Sequence, residues 1–187
     1  MKTILPFDEL NNFKAKLSTH FEKGRIKSKE DCEDIIDEIL DLCLLAYVSG
    51  ATVVGEQLNV HVTIETTAEE LEEVLYPKVD GKDWRERVRE WYENEGTEAD
   101  IIRIAETETH RIGNESAEKT AVKAGAKEKT WRTMMDDKVR DSHFYLESTT
   151  VPIDARFYTY DGDSARFPGD FTLAENNINC RCELQYK

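Results

Sequence analysis

The sequence predicts an α+β fold: a helical N-terminal part followed by a small strand-containing C-terminal module. Three observations carry this. Up to Gly125, apolar residues recur at three- and four-residue steps. Beyond Gly125 they fall into short runs separated by turn signals such as Asp161-Gly162-Asp163. Charge divides unevenly as well. Residues 1–100 carry 12 Lys+Arg against 24 Asp+Glu, a balance of -12, and residues 101–187 carry 13 against 15, a balance of -2. The expected organisation is an acidic helical leader over 1–80 and a second domain over 81–187, with helices to about 125 and a β-rich module over 129–187.

Each element has a local reason. Phe7, Leu10, Phe13, Leu17 and Phe21 are spaced for an amphipathic helix. Ser28 with Asp31 three residues later marks the start of a second helix. Its apolar face is wide (Ile35, Ile36, Ile39, Leu40, Leu42, Cys43, Leu44, Tyr47), and Gly50 is expected to end it. Thr67 with Glu70 opens a short acidic helix through Leu75, Pro77 stops it, and Val79-Asp80-Gly81-Lys82 reads as a turn. Trp84, Val88, Trp91 and Tyr92 make a fourth helix. Thr97 starts a fifth, with Ile101, Ile104, Ala105, Ile112, Ala117, Ala121 and Ala124 at its apolar positions and Gly125 at its C-cap. Strands are expected at Lys129–Met134, Thr149–Ile153, Phe157–Tyr160 and Cys182–Tyr186, and a short helix between Asp137 and Leu146.

Composition excludes several classes. The chain has 187 residues, a net charge of -14 and 39% hydrophobic residues, with a mean hydropathy of -0.63. Asp41 interrupts the longest apolar run, so no membrane span is expected. The first residues lack a long apolar segment, so no secretory signal is expected. A net acidic chain has no general attraction for DNA. Four cysteines (Cys32, Cys43, Cys180 and Cys182) are too few for a disulfide framework and suit a reducing compartment.

The informative residues lie late in the chain. Thr107-Glu108 and Arg111 sit on the fifth helix. Trp131-x-Thr133 follows, then Asp136, Arg140 and His143, then Pro168-Gly169-Asp170, and finally Asn179-Cys180-Arg181-Cys182. This ordered series resembles the phage head morphogenesis family, the phage Mu F-like minor capsid proteins, over roughly residues 81–187. The chain departs from the family at Leu146-Glu147-Ser148, where members often carry a glycine-containing turn. The resemblance implies a minor head protein of structural and assembly role, present in few copies, associated with the portal and other capsid proteins, and needed for head assembly or DNA passage. It implies a virion component, made in the host cytoplasm. The match runs to the last residue, so no appended toxin module is expected.

Beside the resemblance stands a residue-level reading. Glu108 and Arg111 share a helix face and would form a solvated pair. Asp136 and Asp137 would cap the short helix that carries Arg140 and His143 on one side. In an extended segment Cys180 and Cys182 point to the same face. They either fill small core spaces, with Arg181 clamping Glu108 or Asp170, or supply two thiolates to a zinc site completed by His143, His110 or Asp170. The packing reading is preferred, and no catalytic residue or cofactor is assigned. An alternative is a metal-dependent enzyme or toxin built from these residues. It lacks a phosphate loop, a His-Glu-x-x-His and a nucleophile elbow. A second alternative is weak DNA binding through Lys119, Lys123 and Lys127, whose four-residue steps would line one helix face.

Overall fold

The computed structural model describes residues 4, 6–22, 24, 26, 28–78 and 81–187. The expected turn at 79–82 therefore lies partly outside the described residues, as do the first residues on which the absence of a secretory signal was read. Five helices come first: α1 (Phe7–Glu22), α2 (Lys29–Leu58), α3 (Ala68–Leu75), α4 (Trp84–Glu93) and α5 (Glu98–Lys123). The rest consists of short elements: β1 (Glu128–Arg132), α6 (Asp141–Phe144), β2 (Thr150–Pro152), β3 (Phe157–Tyr158), β4 (Ser164–Ala165), α7 (Ala174–Asn177) and β5 (Glu183–Tyr186). The α+β expectation holds.

The helix starts form as the sequence prescribes. Ser28 Oγ accepts from the Asp31 amide at 3.1 Å while Asp31 Oδ2 accepts from the Ser28 amide at 2.7 Å. Thr67 with Glu70 and Asp83 with Glu86 repeat the reciprocal arrangement on α3 and α4. Gly125, at φ +82, follows the last residues of α5 as expected.

Gly50 does not end α2, which continues for two more turns to an Asn59 cap at φ 53. The glycine serves a crossing instead. A methyl group on Gly50 would overlap the carbonyl oxygen of Gly113 on α5, and one on Gly113 would overlap Ile4. The two longest helices thus approach backbone to backbone at a glycine pair. Over an 18-residue window α2 is also long and apolar enough, by those measures alone, to cross a membrane. Its packing against α5 accounts for the apolar surplus: Ile35, Ile36, Ile39, Leu42 and Cys43 are all buried.

Two hydrophobic clusters result. The first joins Leu10, Phe13 and Leu17 of α1 to Ile36 and Ile39 of α2, Trp84 and Val88 of α4, and Ile101 and Ile112 of α5. The second sets Val53 and Val54 of α2 and Ala117 and Ala121 of α5 against Trp131, Phe157, Phe171, Cys180, Cys182, Leu184 and Tyr186. The far ends of α2 and α5 therefore form the floor on which the strand-containing module is built. There β1 is the central strand, antiparallel to β2 and β5, with Trp131 opposite Leu184 and Thr130 opposite Thr150. A separate two-stranded hairpin pairs β3 with β4.

Every expected element of the C-terminal module is shorter than anticipated, and β4 and α7 have no counterpart in the expectation. The helix between Asp137 and Leu146 is a single turn over Asp141–Phe144, and the strand at Phe157–Tyr160 ends at Tyr158. Backbone bonds continue past both ends, from the Leu146 and Glu147 amides after α6 and from the Thr159 amide to the Asp163 carbonyl after β3, and side chains organise the loop beyond. Asp163 alone accepts from the amides of Ser164, Thr172 and Leu173 and from Asn176 Nδ2.

Candidate functional site

The residues singled out in the sequence form two buried centres joined by the end of α5. The first surrounds Glu108, whose carboxylate is buried and doubly clamped. Arg111 Nε lies 2.9 Å from Oε2 and Arg87 Nη2 lies 2.5 Å from Oε1. Arg111 also reaches Glu115 at 2.9 Å and donates to the Val74 carbonyl at 2.9 Å. Burial alone would raise the Glu108 pKa. The Arg111 and Arg87 guanidiniums outweigh it and hold the carboxyl below the usual glutamate range. The expected solvated pair is thus a buried network tying α3, α4 and α5 together, because the Arg111 face of α5 turns inward. Thr107 lies beside it with its hydroxyl buried and without a hydrogen-bond partner among the described residues.

Pro168-Gly169-Asp170 belongs to the same centre. Gly169 has φ +101, and a methyl group there would stand 3.0 Å from Cα, Cβ and Cγ of Arg111. Asp170 Oδ2 accepts from the Arg166 amide at 2.8 Å and pairs with Arg156 at 3.2 Å. Asp170 therefore holds its own loop and does not meet Arg181.

The second centre surrounds Trp131, which is fully buried. Its ring meets Phe157 edge-on at 5.0 Å and His143 edge-on at 5.7 Å. Two positions later the Thr133 amide donates to Glu147 Oε2 at 2.6 Å. Ser148 takes φ +61, the left-handed conformation that a glycine adopts most easily, so the turn survives the departure from the family pattern.

His143, on α6, points at the chain terminus. Its Nδ1 lies 3.5 Å from Cys180 Sγ and 3.5 Å from Cys182 Sγ, and all three residues are buried. Its Nε2 is buried with no partner among the described residues. Phe171 stacks on the imidazole at 5.1 Å. Asn179 adopts φ +55, which asparagine tolerates better than most residues, and this bend precedes the two inward-pointing thiols. Burial would raise the Cys180 thiol, but its bonds to Cys182 and His143 bring it well below the usual thiol range. Its bond to Cys180, then burial, push Cys182 up.

The flanking charges differ from expectation. Asp136 does not cap α6, whose N-cap is Arg140. It accepts both terminal nitrogens of Arg181, at 2.7 and 2.8 Å, and that bidentate bond lowers its pKa. Arg181 thus clamps Asp136 rather than Glu108 or Asp170. Arg140 bonds the Ile178 carbonyl and lines the same narrow cleft as His143. His110 gives its Nε2 to the Cys182 carbonyl at 2.7 Å and lies outside the thiol cluster.

The lysine stripe is also broken. Lys119 and Lys123 are on α5, but Lys127 lies beyond its end, where its amide bonds the Lys187 carbonyl. Lys119 pairs with Glu115 at 3.2 Å, and Lys119 and Lys123 share a cleft with Glu70, Glu73 and Asp154.

Among the buried polar groups that sequence reasoning missed, two organise their surroundings. One is Asp163, hidden inside a turn signal. The other is Lys129, fully buried, which reaches Glu118 at 2.5 Å and the Arg166 carbonyl at 2.9 Å, while the Tyr186 hydroxyl donates to Glu118 at 3.1 Å. Burial raises Glu118 and lowers Lys129 despite their pairing. A period-2 reading of β1 puts Lys129 on the same side as Trp131, which was the available signal.

Comparison with known proteins adds the following. The sequence profile described as Phage Mu protein F like protein matches residues 64–185. Minor head protein GP7 of Bacillus phage SPP1 is 31% identical over 85 residues, 44% of this chain and 28% of that protein. The NAD(+)--arginine ADP-ribosyltransferase EFV of Enterococcus faecalis is 36% identical over 113 residues, 55% of this chain and 22% of that protein. These matches thus cover about a quarter of the length of either relative. No solved structure matches.

Proposed function

The chain belongs to the Phage Mu protein F like family, and on that premise we propose that it is a phage minor head protein that acts structurally in head assembly. The observation that carries this is the match over residues 64–185, joined by the similarity to a minor head protein. The geometry supports a structural role. Glu108, Arg111, Asp136, Arg181 and Trp131 all spend their polar or aromatic groups on other parts of the same chain.

Its partners in this reading are the portal and other capsid proteins, and its place is the virion, reached from the host cytoplasm. The acidic first hundred residues suit a basic partner patch and resist adhesion to packaged DNA. The test is co-purification of the full chain with a portal protein from the same phage genome, together with mass spectrometry of purified virions. The chain is expected in both, in few copies per particle. Its absence from virions and from portal complexes would refute the proposal.

The similarity to an ADP-ribosyltransferase supports a second reading, in which this chain carries part of an NAD-dependent enzyme. An NAD-consumption assay on this chain separates the readings: turnover above a heat-inactivated control would place chemistry in the module.

A further inference from the structure

We propose that His143, Cys180 and Cys182 bind one zinc ion, which locks α6 to the segment entering β5. This does not rest on the head-protein reading. It rests on the shape of the cluster. A tetrahedral zinc with bonds of about 2.3 Å to sulfur and about 2.0–2.1 Å to nitrogen separates each sulfur from the nitrogen by roughly 3.5 Å. Both observed Sγ–Nδ1 distances are 3.5 Å.

Hydrogen bonding alone explains the arrangement less well. Nδ1 has either one proton or one lone pair, so two equidistant sulfurs can share it only through a weaker bifurcated contact. A cation between the three atoms serves both. Charge points the same way, since two thiolates, one neutral imidazole and a divalent ion sum to zero, which a buried site tolerates. Among the described residues this is the one cluster in which three metal-capable side chains come so close. The donor set, sulfur with imidazole, favours zinc over magnesium or calcium.

Three protein ligands leave one position. His143 and Cys182 also line a narrow cleft with Lys138, Val139, Arg140 and Arg181, whose cations favour a site that carries two thiolates, and water from that cleft completes the coordination. His110 and Asp170, the other residues considered from the sequence, are committed elsewhere. The site has a clear mechanical use. The module is built from strands and helices of two to five residues, and such short pieces supply few ladder hydrogen bonds. A metal clip between residues about 40 apart in sequence removes much unfolded-state freedom.

The experiment uses the full chain purified without chelator. Elemental analysis is expected to give about one zinc per chain, and replacement by cobalt to give visible absorption with thiolate-to-cobalt charge transfer. Stripping the parent protein with a chelator should lower its melting temperature, and zinc alone should restore it. The C180S/C182S double variant should lose the metal. Should that variant fail to fold, the cobalt spectrum and the chelator shift of the parent decide alone. A folded parent that holds less than about a tenth of an equivalent after zinc reconstitution, or whose melting is indifferent to the chelator, overturns the proposal. So does undiminished zinc in the double variant, or iron or copper in place of zinc in the parent.

Discussion

Gly169 lies against Arg111 so closely that a single added methyl group would stand 3.0 Å from three carbon atoms of the arginine. The contact joins a loop of the strand-containing module to the buried ion network of α5. It also gives Pro168-Gly169-Asp170 a reason that the tripeptide does not reveal by itself. The glycine is needed twice, for its φ of +101 and for the missing side chain.

G169A is therefore expected to destabilise the chain by about 2–3 kcal/mol, combining strain with displacement of Arg111. Gly162 is the matched control, with φ +89 and open space around it. G162A should cost only the strain, about 1 kcal/mol. Chemical denaturation of the two variants checks this, and equal losses would remove the Arg111 contact from the account.

Glu108 makes stability depend on acid. Its folded pKa is depressed, so its contribution is fully present above the ordinary glutamate range and is lost as pH falls through the depressed value. E108Q should lower stability at neutral pH by about 3 kcal/mol, because two guanidiniums lose a buried partner. It should also flatten the acid limb of the stability curve. A parallel acid limb in parent and variant would contradict the assignment.

Lys129 and Glu118 should behave as a pair. K129M leaves a buried carboxylate without its cation and is expected to cost about 3–5 kcal/mol at pH 7. Adding E118Q should recover much of that loss, since Tyr186 can still donate to the amide oxygen. Thermal denaturation of the single and double variants gives the coupling directly. Additive losses would show that the two side chains do not interact.

The glycine crossing gives a sharper test of packing. G50A on α2 raises helix propensity yet should destabilise by at least about 2 kcal/mol, because the Gly113 carbonyl occupies the space of the new methyl group. Were propensity to decide, G50A would be neutral or stabilising, and the close approach of α2 to α5 would be wrong.

DNA binding is expected to be weak and steeply salt-dependent. Lys127 is off the helix, and Lys119 and Lys123 face carboxylates in a chain of net charge -14. Fluorescence anisotropy with duplex DNA across a salt series measures this. Tight binding at physiological salt that survived charge reversal of Lys119 and Lys123 would place the contact elsewhere.

The starts of α2 to α5 are legible in the sequence, because caps and apolar periodicity act within a few residues, whereas α7 and the late start of α6 are not. Ser28 with Asp31, Thr67 with Glu70, and Gly125 all do in the fold what local chemistry demands. The sequence also ordered the motif residues, and a reading of the segment as extended put Cys180 and Cys182 on one face, although β5 begins only at Glu183. Only the tertiary structure decided what those residues meet. Gly50 looks like a helix end until α5 crosses it. Glu108 and Arg111 look solvated until α4 and the Gly169 loop cover them. Arg181 could have joined any acid within reach and takes Asp136, 45 residues earlier, while His143 meets thiols 37 and 39 residues later. Such pairings depend on the path of the whole chain, and periodicity reports only which side of its own element a residue occupies.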